Sequence, residues 1–183
     1  LAIALVFRTA PAGTPPRARA LLVAALAASL AGDVFLMLPG AQWFIPGLAS
    51  FLVAHLCYIA LFRIGHGWFP SRRALLGTLA LGAGMYMVIL PGLPDTVMRV
   101  AVACYVVVIA LMTAQAIGRA TDQRSAAAIA VAIGACCFML SDSLLALNRF
   151  VSPLPLSGLW VLSTYYTAQI LIVLHALQVP RVR

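Results

Sequence analysis

Asp33 and Asp142 are the residues of this 183-residue chain whose types and settings point most directly to chemistry. Each is embedded in an apolar run long enough to cross a bilayer, Asp33 within LAASLAGDVFLML and Asp142 within FMLSDSLLALNRF. A carboxylate near the middle of a membrane helix costs about 3 kcal/mol on insertion scales, so a chain that carries two is expected to use them. Two carboxyl groups serving one site can divide proton donation and proton acceptance between them. The other two acids, Asp95 and Asp122, fall between apolar runs and are expected to be solvated surface charges.

The elements that hold these acids follow from composition. With 64% hydrophobic and 9% charged residues, the chain lacks the polar surface that a water-soluble domain of this length needs, and an integral membrane protein is expected. Apolar spans run over 20–38, 44–62, 74–90, 97–117, 126–147 and 156–178, each near the length that a hydrocarbon layer of about 30 Å demands. The expected fold class is all-α, a polytopic transmembrane helix bundle with six complete spans. Leu1 to Phe7 is apolar too, but as a helix it rises only about 10 Å. It reads as the tail of a truncated span, so residues 1–183 are expected to form one transmembrane helical domain, N-terminally truncated. No internal repeat of the kind that builds inverted-repeat transporters is evident.

A net charge of +8 raises the question of nucleic acid, but the twelve basic residues are all Arg and are scattered between spans, where they form no basic stripe. No nucleic-acid partner is expected. Their placement is topological. Arg8, Arg17 and Arg19 precede the first complete span; Arg63, Arg72 and Arg73 follow the second; Arg119 and Arg124 follow the fourth; Arg181 and Arg183 form the tail. The opposite side holds only Arg99 and Arg149. The positive-inside rule then places the Arg-rich set and the C-terminus in the cytoplasm. A Lys-free, Arg- and Ala-rich composition points to a GC-rich bacterium, and hence to an inner (plasma) membrane.

Cys57, Cys104, Cys136 and Cys137 lie within spans without zinc-ligand spacing and are expected to be small apolar packing residues. Small residues at helical spacing, Ala126, Ala130 and Gly134, and Gly77 with Gly84, are expected to let helices approach closely. Asp33 and Asp142 each lie five residues from the outer end of their expected spans, at matching depth. Ser29, His55 with Tyr58, Ser141, Ser143, Tyr165, Tyr166 and Gln169 share that layer, and because lipid offers no hydrogen-bond partner these groups should turn toward one another and line a polar pocket that opens outward. Tyr86 and Tyr105, in the outer halves of their spans, read more readily as interfacial aromatics. His66 and His175 lie too far from this layer to join it. Arg149 follows Asp142 by two turns and so shares its face at the pocket mouth, where a guanidinium suits a lipid phosphate or serves as an interface anchor.

Gly32-Asp33 before a short Pro-Gly turn, GLASFLVAHLCYIALF with His55 and Tyr58, FMLSDSLLALNRF with Ser141-Asp142 and Arg149-Phe150, and YYTAQILIV with Tyr165, Tyr166 and Gln169 together resemble the YhhN/TMEM86 family of membrane lysoplasmalogenases. The resemblance runs through nearly the whole chain. It implies a bundle of about eight helices in the full-length protein and hydrolysis of the vinyl ether bond of a lysophospholipid-type substrate, giving a fatty aldehyde and a glycerophosphoalcohol. It also implies that Asp33 and Asp142 are catalytic, that His55, Tyr58, Arg149, Tyr165, Tyr166 and Gln169 bind or orient the substrate, and that no metal or other cofactor takes part. A vinyl ether is cleaved when its β-carbon is protonated, which leaves an oxocarbenium ion for water to capture; glycosidases divide similar work between two carboxyls. A zinc amidase would need about three protein ligands, and only His55 is at the right depth. A non-enzymatic lipid-binding protein or proton-coupled transporter also accounts for buried acids and stays open here.

Overall fold

The computed structural model describes Val6 and residues 13–178. Six helices among them are long and apolar enough to cross a membrane. They are α1 (Pro16–Met37), α2 (Phe44–Phe62), α3 (Arg72–Ile89), α4 (Thr96–Gln123), α5 (Ala126–Phe150) and α6 (Ser157–His175), with 3₁₀ turns at Ala41–Trp43 and Leu90–Gly92. The protein is thus an all-α polytopic membrane bundle. Apart from Val6, the apolar stretch 1–7 lies outside the described residues, as do Arg8, Arg181 and Arg183.

Short polar side chains start three of the helices. Ser71, Asp95 and Ser125 accept hydrogen bonds from the backbone N–H groups of Ala74, Met98 and Ala128, satisfying donors that the first turn of a helix leaves free. Asp95 is therefore the N-cap of α4 rather than an idle surface charge. Pro16 stands at the first position of α1, where its missing N–H does no harm.

Two helices outrun their apolar cores. α4 continues to Gln123 and α5 to Phe150, so Arg119, Asp122 and Arg149 ride on helices and not on loops. Their polar ends find partners that hydropathy does not register. The Arg119 guanidinium, 3% exposed, donates to the carbonyl oxygens of Ala176 and Gln178 just past α6, and Asp122 lies 2.7 Å from His66 Nδ1.

Helix pairs α1/α2, α5/α6, α3/α4, α2/α4 and α4/α5 pack closely. At the first crossing neither helix carries a side chain in the way: a Cβ on Gly32 would lie 2.5 Å from the Phe51 ring, and one on Gly47 would meet Leu36 at 2.8 Å. Gly134 seats α5 against the Ala168 carbonyl of α6, as its spacing predicted, whereas Gly77 and Gly84 face open space. Cys104 and Cys136 are exposed on the bundle surface and Cys57 and Cys137 are half-buried; all four are free thiols, so the first two do not pack the core. The centre is filled by rings. Phe138 meets His55, Tyr165, Phe51 and Tyr58 with centroids 4.7, 5.3, 6.1 and 6.4 Å away.

Candidate functional site

Around Phe138 the bundle assembles two polar chains of the same design. In the first, Tyr105 on α4 donates its hydroxyl to Oδ2 of Asp142 on α5, and His55 Nε2 on α2 lies 2.9 Å from the Tyr105 oxygen. The same imidazole nitrogen is 3.5 Å from Asp142 Oδ2. In the second, Tyr165 on α6 donates to Oδ2 of Asp33 on α1 at 2.9 Å. Gln169, one turn along α6, donates to the Tyr165 oxygen at 3.2 Å and accepts from the Tyr58 hydroxyl at 2.8 Å. Each acid is thus held by a tyrosine, and each tyrosine oxygen by a nitrogen.

Helical spacing explains how one segment serves both chains. His55 and Tyr58 lie one turn apart on α2 and both are fully buried. A polar group buried in an apolar bundle must be paired, and each member of these chains is satisfied by another. Within the chains one atom departs from this: His55 Nδ1 is buried with no hydrogen-bond partner among the described residues.

The site differs from its sequence-level picture in four respects. Tyr105, read as an interfacial aromatic, is 7% exposed and holds Asp142. Tyr166 is 57% exposed on the outer face of α6, joined to the site only by its ring against Tyr165 at 5.5 Å. Depth differs as well: Asp33 lies four residues from the end of α1 and Asp142 eight from the end of the longer α5, about 6 Å and 12 Å along their axes. Finally, the open space is apolar rather than polar. A cleft of about 70 Å³ beside Asp142 is walled by residues such as Leu48, Phe51, Met85, Ile109 and Ala146, with Tyr105, Ser143 and Asp142 as its polar groups. The other polar side chains are spent on one another, which leaves hydrocarbon to line the space.

Arg149 lies at the rim. Its guanidinium sits 4.2 Å from the centroid of Phe44, a ring that also walls the cleft, and it borders a second, more polar hollow with Gly40, Ala41 and Trp43. Among the described residues no carboxylate pairs with it. Nor do three or more His, Cys, Asp or Glu side chains converge anywhere among the described residues, so no ready-made metal cage is present.

A membrane helix bundle with two half-buried acids within its spans, each fixed by a tyrosine and one of them lining an apolar cleft, is the class of protein that fold and site define. Within that class the chain belongs to the YhhN family, whose pattern matches residues 1–176. It is 38% identical over 162 residues to human "Lysoplasmalogenase TMEM86B", 34% over 178 residues to bovine "Lysoplasmalogenase TMEM86A", and 33% over 161 residues to "Lysoplasmalogenase" of Mycobacterium bovis. These matches take in 87%, 90% and 85% of this chain, and 65%, 68% and 60% of the relatives' own lengths. The chain therefore spans about two thirds of the relatives it matches. No solved structure matches it.

Proposed function

We propose that this protein is a membrane-embedded lysoplasmalogenase-type hydrolase that cleaves the vinyl ether bond of a lysophospholipid to a fatty aldehyde and a glycerophosphoalcohol. The observation that supports this reading most directly is that both acids set within the spans, each half-buried, are held by a tyrosine, with Asp142 facing an apolar cleft suited to a hydrocarbon chain. Membership of a family whose relatives carry that name supports it independently.

In this mechanism one carboxyl gives its proton to the β-carbon of the vinyl ether, and the other assists the water that captures the oxocarbenium ion. The hemiacetal so formed then breaks its remaining C–O bond, releasing aldehyde and alcohol. Tyr105, Tyr165, His55, Tyr58 and Gln169 orient the acids, and Arg149 at the rim receives the substrate phosphate through its forked donors. The protein lies in a bacterial inner membrane with its Arg-rich ends and C-terminus in the cytoplasm, which a C-terminal topology reporter would check. The full-length form has about eight helices, as the family resemblance implies.

The test is aldehyde release from a lysoplasmalogen by the full-length protein in lipid. Asp33→Asn and Asp142→Asn should each lower the rate by about 100-fold or more, as expected when an acid–base group is removed. Wild-type rates in both variants would overturn the assignment. Uptake of the lipid without conversion would favour a transporter.

A further inference from the structure

The two chains share a design but differ at their far ends, and that difference divides the labour between the acids. Resting on the hydrolase reading above, we propose that Asp142 is the proton donor, reloaded through Tyr105 and His55, and that Asp33 is the carboxylate that takes the proton from water.

A tyrosine hydroxyl has one hydrogen. When Tyr105 gives it to Asp142, its oxygen must accept from His55 Nε2–H, which leaves Nδ1 bare. The opposite arrangement is equally sound chemically: Asp142 O–H donates to Tyr105, Tyr105 donates to a bare Nε2, and the hydrogen is on Nδ1. An imidazole moves between these states because it takes a proton on one nitrogen as it releases one from the other. His55 Nδ1 is buried and has no protein partner, so an internal water held against it is the proton source that the relay requires. The chain to Asp33 has no such freedom. It ends in Gln169, whose amide nitrogen donates and does not accept, and whose oxygen is already taken by Tyr58. Tyr165 is thereby fixed as a donor to Asp33, and no proton can be relayed to Asp33 through it. Position agrees, since Asp142 lines the cleft where the vinyl ether would lie and Asp33 does not.

The protons balance. The Asp142 O–H bond breaks and its proton bonds to the β-carbon, leaving the oxocarbenium ion; water adds to that ion and its surplus proton passes to Asp33. To reset, Asp33 releases one proton to solvent. One arrives at Nδ1 from water while the Nε2 proton moves to Tyr105 and the Tyr105 proton to Asp142; once Asp142 has given that proton up, a half-turn of the imidazole returns an N–H to Tyr105 for the next reload. His55 and Tyr105 act through Asp142 and are positioning residues, not catalytic ones. The titratable neighbours of His55 are Tyr105 on α4, Asp142 on α5, Tyr165 on α6 across Phe138, Asp33 beyond Tyr165 on α1, and Cys57 and Tyr58 on α2 itself.

The experiment compares wild type, His55→Gln, Tyr105→Phe and Tyr165→Phe, full-length in nanodiscs, for single-turnover and steady-state aldehyde release across pH. Glutamine keeps an N–H for Tyr105 but cannot pass a proton. The first turnover should therefore survive in His55→Gln, while steady-state kcat falls about 10-fold or more. Tyr105→Phe should do the same, whereas Tyr165→Phe should lower the first turnover and the steady-state rate alike. In wild type, a proton inventory in H₂O–D₂O mixtures should be curved, since several protons move together. A linear inventory, or wild-type kcat and pH profile in a folded His55→Gln protein, would overturn the relay. No aldehyde from wild type would instead overturn the hydrolase reading beneath it.

Discussion

Gly32 shows how much of this site depends on an atom that is missing. Because it has no side chain, the Phe51 ring lies directly on α1, and that ring in turn packs edge-on against Tyr165, the residue that holds Asp33. Helix propensity alone favours alanine over glycine here by about 1 kcal/mol. The clash of a Cβ 2.5 Å from Phe51 opposes this, and forcing a methyl into a packed core costs about 1–3 kcal/mol. Gly32→Ala should therefore lower the melting temperature rather than raise it, and should reduce aldehyde release by displacing Tyr165. Adding Phe51→Leu should recover part of both losses, a coupling that a double-mutant cycle measures directly. At this scale the sequence announced Asp33 and Asp142, because a charge amid hydrocarbon is conspicuous. Tyr105 was hidden, since a tyrosine is amphipathic and fits an interface or a buried network equally well from its type alone. Only the facing of α4 toward His55 and Asp142 decides between them.

Among the elements, it is the helix ends that sequence patterning described least well, and the reason is polar tertiary contact. Gln115, fully buried on α4, accepts from the backbone N–H of Phe69 at 2.8 Å and donates to the carbonyl of Gly67 at 3.0 Å, pinning the α2–α3 loop to the bundle. Phe69 sits in the left-handed region at φ 47°, a conformation that a bulky residue holds only when its surroundings insist. Nothing about a lone glutamine in an apolar run reveals which backbone groups it will meet. Gln115→Leu should leave that N–H and carbonyl unpaired and cost about 1–3 kcal/mol, read as a lower melting temperature and faster proteolysis in the loop after Arg63. Arg119, which caps the end of α6 with two carbonyl contacts, is the counterpart at the next loop, and Arg119→Lys should not replace it because an ammonium lacks the fork.

Across the whole molecule, the five helices α1, α2, α4, α5 and α6 supply every member of the two polar chains, and α3 supplies none. α3 packs on α4 and gives Gly82, Met85 and Ile89 to the wall of the cleft. On the proposed hydrolase reading, chemistry and chain accommodation would be spatially separable, with proton transfer at the ring-filled centre and the hydrocarbon between α3 and α5. Ala146 is on that wall, one turn beyond Asp142 on α5, and hydrogen-bonds through its side chain to nothing. Ala146→Phe should fill the cleft while leaving Tyr105, Asp142 and His55 in place. The resulting loss should grow with the length of the alkenyl chain, because each excluded contact with the wall is worth a fraction of the binding energy that positions the vinyl ether. For a long-chain lysoplasmalogen kcat/KM should fall about 10- to 100-fold, the range that reshaping an apolar pocket commands, and for a short-chain, water-soluble vinyl ether it should change little. Equal losses for both substrates would place the hydrocarbon chain elsewhere, even with the two acids still performing the reaction.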